Sequence, residues 1–319
     1  MQDKGMKIEL SEEQEMLRAS ARDFLDKECT EAVVKDVEAN GLGYSPELWR
    51  KIAELGWRGL VFPPRFGGSG MGVNDLAVLC EELGRAVFPA PYVSTMVVGG
   101  LTVLEAGTEE QKSAILSGLI EGNDIACVVL NDPGPRSGGA FDPESVSVQF
   151  TPGGEDFILN GKAVFVMNAS AASRFLVPAL ETSDRDPEHS ITLFWVEATA
   201  PGITVTPLAS LAGDSPCEVV FRNVRVPRKN VIGDVGGGRP PLAKAVEIGA
   251  VMMSAQMLGS GERLLRAVTE DYETRIQSDT SARDQHTVDY IARLRQELDD
   301  CRSATYEQLK NLPPIADPD

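Results

Sequence analysis

Residues 131–140, NDPGPRSGGA, are the stretch whose residue types are best suited to holding a ligand. Glycines, a serine and an arginine are typical of a loop that binds a phosphate. The stretch lacks the GxGxxG spacing of a dinucleotide-binding turn and the Lys-Ser/Thr pair of a P-loop. Three interpretations therefore stay open: a working anion site, a degenerate one, and a polar turn that binds nothing.

The overall charge excludes some classes of partner. The chain has 48 acidic and 30 basic residues and a formal net charge of −18. Nucleic acids and anionic membranes are bound by clustered lysines and arginines, so we expect neither as a partner. The two histidines, His189 and His286, lie far apart in polar sequence, which disfavours a histidine metal site or a Ser-His-Asp triad. No metal is expected.

The cysteines and the N-terminal sequence indicate the compartment. Five cysteines are scattered without a CxxC pair, which is typical of reduced thiols in the core of a cytoplasmic protein. The first residues, MQDKGMKIELSEEQE, lack the basic-then-apolar pattern of a signal peptide. No apolar run reaches membrane-spanning length. We therefore expect a cytoplasmic location.

Three regions with different periodicity must position the 131–140 stretch. Residues 1–125 have the spacing of amphipathic helices. Residues 126–235 contain short runs rich in Val, Ile, Phe and Thr, separated by Gly, Pro, Asn and Asp, which is typical of a β domain. Residues 236–319 return to helical spacing, in two pieces that separate near SDTSARD. The sequence therefore predicts three domains with these boundaries.

Local signals mark where helices begin and which faces are buried. Ser11 with Gln14 predicts a capping box, and Thr108 predicts the cap of another helix. In the last helix, apolar residues recur at three- and four-residue spacing and predict a buried stripe. The residues of this stripe are Ile291, Leu294, Leu298 and Cys301.

Ten stretches, in the same order along the chain, resemble the acyl-CoA dehydrogenases, FAD-dependent enzymes that place a double bond between Cα and Cβ of an acyl-CoA. These stretches are LSEEQEMLRASARDF, PELWRKIAELGW, FPPRFGGSG, CEELGRA, GTEEQKSAIL, LNDPGPRSG, FILNGKAVFVMN, PGITV, VVFRNVRVPRKNVIGDVGGG and AQMLG. The resemblance covers roughly residues 1–275. It implies an α+β fold with an N-terminal helical domain, a middle antiparallel β-barrel-like domain and a truncated C-terminal helical domain. It also implies FAD as cofactor and an acyl-CoA as substrate.

The resemblance aligns the 131–140 stretch with the TEPxAGSD turn that wraps the flavin in this family. Asn131 stands for the Thr and can still donate a hydrogen bond, and Ser137 keeps its hydroxyl, so both are expected to bind the cofactor. Arg136 replaces a glycine; it either pairs with a phosphate or fills the space where the flavin would lie. Arg136 and Ser137 are also the candidates for binding the substrate.

A second family motif, W-I-T/S-N, lies against the isoalloxazine ring and here reads Phe165-Val166-Met167-Asn168. Phe165 keeps an aromatic face toward the ring. Met167 loses a hydrogen bond worth about 0.5–1.5 kcal/mol. The resemblance therefore implies that Phe165 and Met167 contact the cofactor in a weakened flavin site.

The family's catalytic base is missing from its expected positions. In most members a Glu lies near the C-terminal end of a four-helix domain, and this chain ends after two helices of that domain, before the QxxGGxG segment that grips a neighbour's FAD. In other members the base lies nine residues before the LG of AQMLG, which here is Gly249. Glu247 is the nearest acid, but two residues along a helix turn a side chain by about 200°. We expect Glu247 to face away from the substrate groove.

Arg275 matches a family arginine that crosses a dimer interface to the partner's FAD pyrophosphate, although the family's F-G is replaced by Ser278-Asp279. The favoured hypothesis is a non-catalytic chain of a heterotetrameric bacterial acyl-CoA dehydrogenase, some of which act on steroid side-chain CoA thioesters. Its partner would be a homologous full-length chain in an α2β2 assembly that supplies the Glu and most FAD contacts, with an electron-transfer flavoprotein as a further partner. Two alternatives stay open: a flavin-free acyl-thioester-binding or scaffold protein, and an independent dehydrogenase that uses Glu247.

Overall fold

The computed structural model describes residues 10–130, 146–182, 191–211, 215–278 and 284–315. The chain forms two compact units. The first, the helical unit, contains Met1–Glu31, Val73–Phe88 and Val251–Leu312. The second, the sheet unit, contains Ala32–Gly72, Pro89–Ala250 and Pro313–Asp319. The boundaries predicted at 125/126 and 235/236 fall between elements, and the three-domain division stays a prediction.

Eight α-helices lie within the described residues, six before the strands and two after them. They are α1 (Glu12–Glu28), α2 (Glu31–Asn40), α3 (Pro46–Glu54), α4 (Val73–Arg85), α5 (Leu101–Ala106), α6 (Glu109–Glu121), α7 (Arg239–Ser278) and α8 (Gln285–Leu309). A π-helical segment, Val93–Gly100, leads directly into α5. The capping box of Ser11 with Gln14 is present, and Thr108 caps α6 in the same way. No helix in the described ranges is long and apolar enough to cross a membrane.

Helices α4 and α7 touch through backbone in the helical unit. A Cβ atom added to Gly84 would lie 1.9 Å from the carbonyl oxygen of Gln256, and one added to Gly259 would lie 1.8 Å from that of Glu81. The Ser260 hydroxyl donates to the Gly84 carbonyl oxygen at 2.8 Å. Only glycine fits at either position, so these two residues fix the crossing.

Two adjacent carboxylates of α4 hold the helices on either side. Glu82 is buried and accepts hydrogen bonds from Arg22 of α1 at 2.6 and 3.1 Å. Glu81 accepts from Arg302 at 2.8 Å and from the Tyr306 hydroxyl at 2.9 Å, both on α8. Burial and the Glu81 carboxylate raise the pKa of Tyr306. The charged cluster thus docks α1 and α8 on α4.

The buried stripe predicted on α8 is partly wrong. Ile291 is buried and Leu294 and Leu298 are half-buried, but Cys301 is exposed, while the other four cysteines of the chain are buried. The buried face continues instead through Thr305 and Leu309. At about 100° per residue, Cys301 lies roughly 80° around the helix from Ile291, at the edge of the stripe, whereas Leu309 lies in line with Ile291.

Eight strands of the sheet unit form one sheet in the order β6-β7-β3-β2-β4-β5-β8, with β1 paired to β4 beside this path. The strands are β1 (Ala126–Val128), β2 (Val148–Gly153), β3 (Asp156–Met167), β4 (Arg174–Glu181), β5 (Ile191–Glu197), β6 (Ile203–Pro207), β7 (Pro216–Pro227) and β8 (Val231–Ile232). Most pairs are antiparallel, as expected for the middle domain. The β1–β4 and β2–β4 pairs are parallel, which the sequence pattern did not indicate.

Aromatic rings fill the core beneath this sheet. Phe150, Phe157 and Phe194 pack edge to face with ring centroids 5.2–5.5 Å apart. These rings come from β2 and β3, where buried and less buried residues alternate, and from β5, which is buried over its first six residues. Edge-to-face aromatic pairs add about 0.5–1.5 kcal/mol each beyond their buried area. The three rings therefore join β2 and β5 to the first residues of β3.

Candidate active site

Strand β4 pairs with the strands on both sides of residues 131–145, the segment that contains the candidate phosphate loop 131–140. The candidate residues Asn131, Arg136 and Ser137 lie outside the described residues. The chain enters the undescribed segment 131–145 after β1, whose register with β4 runs from Ala126 opposite Arg174 to Val128 opposite Leu176. It leaves into β2, where Val148 lies opposite Ala179 on the same strand. Both ends of the segment are therefore fixed by one strand.

The second candidate motif lies at the end of β3 and contains a β-bulge. Between the pairs Ala163–Val219 and Val166–Cys217, β3 has two residues where β7 has one. Phe165, inside the bulge, has a left-handed backbone with φ of 60° and a side chain that is 54% exposed. Val166 is buried and Met167 is 39% exposed. The bulge therefore presents Phe165 and Met167 to solvent while Val166 anchors the strand.

Asn168 closes this motif and uses its donors to hold three segments together. Its backbone N–H donates to the Ser215 carbonyl oxygen at 2.9 Å, and its side-chain amide donates to the Gly43 carbonyl oxygen at 3.1 Å. A Cβ atom on Gly43 would lie 2.4 Å from the Ser215 hydroxyl oxygen. The backbone at position 43 can therefore approach Ser215 this closely only because the residue is glycine. Sequence reasoning missed Gly43 and Ser215, because only their distance in space relates them to Asn168.

The two candidate positions for a base on α7 lie in different environments. Glu247 is exposed, whereas Gly249 is buried. A Cβ atom on Gly249 would lie 2.8 Å from Val98 Cγ2 of the π-helical segment. A glutamate at position 249 would therefore require Val98 to move. In this structure the position aligned with the family's alternative base has no room for a longer side chain.

Arg275 lies in the last turn of α7 and pairs with Asp271 one turn earlier. The Arg275 Nη2 to Asp271 Oδ2 distance is 2.8 Å, and the two side chains are 71% and 60% exposed. Exposed pairs at this spacing contribute about 0.3–0.5 kcal/mol. The guanidinium can therefore exchange this partner for a phosphate at little cost. Asp279, in the motif that follows, lies outside the described residues.

Arg58 is a buried cation that the sequence analysis did not single out. Its guanidinium carbon lies 4.1 Å from the centroid of the Trp49 ring, and Nη2 donates to the Asp124 carbonyl oxygen at 3.1 Å. A Cβ atom on Gly122, the C-cap of α6, would lie 2.5 Å from Nη1. Burial lowers the pKa of Arg58 to about 10. Arg58 thereby fixes the turn between α6 and β1.

Proteins of known class are similar to this chain in sequence. The family description "Acyl-CoA dehydrogenase, N-terminal domain" matches residues 11–123. A probable acyl-CoA dehydrogenase, YngJ, of Bacillus subtilis is 28% identical over 82% of this chain and 69% of its own length. The acryloyl-CoA reductase (NADH) of Anaerotignum propionicum is 28% identical over 86% of this chain and 69% of its own length.

Solved structures extend the similarity across most of the chain. Butyryl-CoA dehydrogenase from Megasphaera elsdenii is 25% identical and covers 97% of this chain and 82% of its own, with a TM-score of 0.84. A variant of the Tcur3481-Tcur3483 steroid ACAD covers 93% of this chain and 76% of its own, at 25% identity and a TM-score of 0.78. An acyl-CoA dehydrogenase from Bacillus anthracis, complexed with FAD, covers 95% of this chain and 51% of its own, at 22% identity and a TM-score of 0.82.

The helical and sheet elements, the two motifs and these matches define one class of protein. Residues 11–123 match the N-terminal domain of the acyl-CoA dehydrogenases, and the relatives and solved structures support membership of the chain in that family. The relatives named above include a probable acyl-CoA dehydrogenase and an acryloyl-CoA reductase, and the structure of the Bacillus anthracis enzyme is a complex with FAD.

Proposed function

We propose that this chain is one subunit of an FAD-dependent acyl-CoA dehydrogenase and that a homologous partner chain supplies the catalytic glutamate. The observation that carries the proposal is the packing of Gly249 on Val98, which leaves no room for a base at this position of α7. Glu247 is exposed two residues earlier. A dehydrogenation needs a base placed at the substrate Cα–H, and losing it forfeits about 10²–10⁴-fold in rate.

The described residues fit a flavin only in part. Phe165 offers an exposed aromatic face, which suits stacking on a ring. Met167 offers no hydrogen-bond donor from its side chain, and Asn168 already donates to Gly43 and Ser215. We therefore assign no redox step to the residues of this chain. Phe165 would pack against the cofactor, and Arg275 would contribute positive charge toward a pyrophosphate across the interface.

The partner would be a full-length homologue in an α2β2 assembly that holds most of the FAD. The Tcur3481-Tcur3483 steroid ACAD, similar in fold, is named with two components and as a steroid enzyme, which supports an assembly of unlike chains and a steroid substrate for this chain. An electron-transfer flavoprotein would accept the electrons, and a cytoplasmic location would fit these partners. Asn131 and Ser137 remain proposed cofactor-binding residues of this chain, and Arg136 and Ser137 its proposed substrate-binding residues.

A flavin-free acyl-thioester-binding or scaffold protein is the second candidate, because Met167 presents a thioether where a polar contact to the ring is expected. The independent dehydrogenase that uses Glu247 is the third, although the exposure of Glu247 counts against it. The three candidate functions predict flavin and activity in different preparations of the protein, so one set of preparations distinguishes them.

The experiment compares the chain purified alone with the chain co-expressed with each full-length homologue of its own genome. The readouts are the FAD-to-protein ratio and the rate of acyl-CoA oxidation, with straight-chain and steroid side-chain CoA thioesters as substrates. We expect flavin and activity only in a co-purified complex. Stoichiometric FAD and turnover in the lone chain would support the independent enzyme, and thioester binding without flavin in any preparation would support the scaffold.

A further inference from the structure

A cavity of about 480 Å³ lies in the helical unit, between the C-terminal ends of α1 and α4 and the second half of α7. We call it the α1–α4–α7 cavity. Small-molecule sites usually have volumes of about 300–1,000 Å³. Phe165, Met167, Arg275 and Glu247, the described residues considered above for cofactor binding or catalysis, do not line it. The cavity is therefore large enough for a ligand and separate from these residues.

The buried side of the α1–α4–α7 cavity is apolar and uncharged. Leu25, Cys29 and Ala86 line it, and all three are buried. The Cys29 thiol donates to the Ala86 carbonyl oxygen at 3.5 Å. Burial raises the pKa of Cys29 to about 11, so the thiol stays protonated at neutral pH. This side therefore offers apolar contact and carries no negative charge.

The four acidic residues that line the cavity all have partners. Those of Asp26, Glu262 and Glu270 are arginines, at 2.7–2.8 Å. Glu31 also has a partner. A cationic ligand would have to compete with these arginines for the carboxylates. The acidic residues therefore do not favour a cation in the cavity.

Arg263 differs from the other arginines that line the cavity. Arg22, Arg85 and Arg266 each pair with a carboxylate. Arg263 makes no ion pair within the described part of the chain, and its Nη1 donates to the Arg85 carbonyl oxygen at 3.3 Å. A guanidinium has five N–H donors in one plane, an arrangement that suits the two oxygens of a carboxylate. The cavity therefore has a cation that is available to an anionic ligand.

We propose that the α1–α4–α7 cavity binds an organic monocarboxylate, with its carboxylate on Arg263 and its apolar part against Leu25, Cys29 and Ala86. A single unpaired cation matches a single negative charge. A phosphate dianion would bring a second negative charge close to four carboxylates and would bury no apolar surface. This inference does not rest on the proposed function, because the site needs neither a flavin nor a partner chain.

The test measures the binding of hexanoate and benzoate to the full chain by ligand-detected NMR. Hexanamide, which has the same chain without the charge, should bind at least tenfold more weakly than hexanoate. Arg263→Gln removes the cation and should weaken hexanoate binding at least tenfold. Arg293→Gln is the matched control, because Arg293 is an exposed arginine of α8 that does not line the cavity. It should change the Kd less than threefold.

A second pair of variants locates the site without changing the charge. Ala267 and Val268 are both exposed neighbours on α7, and Ala267 lines the cavity whereas Val268 does not. Ala267→Trp should obstruct the cavity and weaken hexanoate binding at least tenfold, and Val268→Trp should change it less than threefold. Thermal unfolding checks that each variant is folded. Two results would overturn the inference: no binding of either carboxylate at millimolar concentrations, or hexanoate binding that neither Arg263→Gln nor Ala267→Trp weakens.

Discussion

The crossing of α4 with α7 and the end of β3 differ in the space that they leave for side chains. At the crossing, Gly84 and Gly259 lie against carbonyl oxygens, and no side chain fits. At the end of β3, Phe165 and Met167 are exposed, and the bulge that presents them is fixed by the buried Val166. The helix crossing therefore has no space for an added side-chain atom, whereas the two exposed side chains at the end of β3 have solvent around them.

The largest expected effect is on the crossing itself. Gly259→Ala should lower the free energy of unfolding by about 3 kcal/mol, because the added methyl group overlaps the Glu81 carbonyl oxygen and the helices must separate. Gly261→Ala, on the same helix, is the control: its nearest neighbour is the end of the Leu298 side chain at 3.1 Å. Urea unfolding of both variants measures the difference. Equal stabilities would show that the crossing is not tightly constrained.

The next effect concerns Arg275 in the assembled enzyme. Arg275→Ala should weaken FAD retention by the complex by about 1–3 kcal/mol, the range for a charge-assisted contact. Stability should change little, because the pair with Asp271 is exposed. Arg266→Ala, which breaks a similar exposed pair with Glu270, serves as the control. Flavin release during dilution measures retention, and unchanged release from the Arg275 variant would argue against a contact across the interface.

A smaller gain is expected from restoring the family's residues at the β3 motif. Met167→Thr adds a hydroxyl at an exposed position and should raise the FAD affinity of the lone chain by up to about tenfold, since one hydrogen bond contributes about 0.5–1.5 kcal/mol. Arg136→Gly combined with it tests whether that arginine fills the site. Flavin fluorescence quenching reports binding. If neither the single nor the double variant takes up FAD, the weakness of the site lies elsewhere.

The smallest effect is expected at Glu247. Glu247→Gln should change turnover of the complex by no more than a few-fold, because its exposed carboxylate would take no part in proton removal. Loss of turnover in this variant, with normal assembly and flavin content, would identify Glu247 as the base and overturn the partner-subunit proposal.

Local signals predicted the helix boundaries well. Ser11 and Thr108 cap their helices as expected, and the break between α7 and α8 lies within SDTSARD. These signals are local because a cap satisfies backbone donors only two or three residues away. The order of a helical, a strand-rich and a second helical region was predicted from the spacing of apolar residues, which is also a local signal.

Contacts between distant residues could not be predicted in this way. Gly84 and Gly259 were ordinary helical glycines in sequence, and nothing marked Arg58 as buried over Trp49. The parallel pairing of β1 and β2 with β4 depends on where the chain returns after a long connection, which alternation within a strand does not encode. In the candidate site, residue types suggested roles for Phe165 and Met167, but the bulge that exposes them came only from the structure.

The pairing of both strands that flank segment 131–145 with a single strand has a consequence for how such a protein can evolve. Since β4 holds Ala126 and Val148 by separate pairings, the alignment of the sheet does not depend on how many residues connect them. The entropy of closing a loop rises by only about 0.6 kcal/mol for each doubling of its length. Insertions and deletions there leave both pairings intact. On the proposed assignment of Asn131, Arg136 and Ser137 to ligand binding, ligand preference would diverge among descendants by changes in this one connection, while the strands on either side stay under selection for folding.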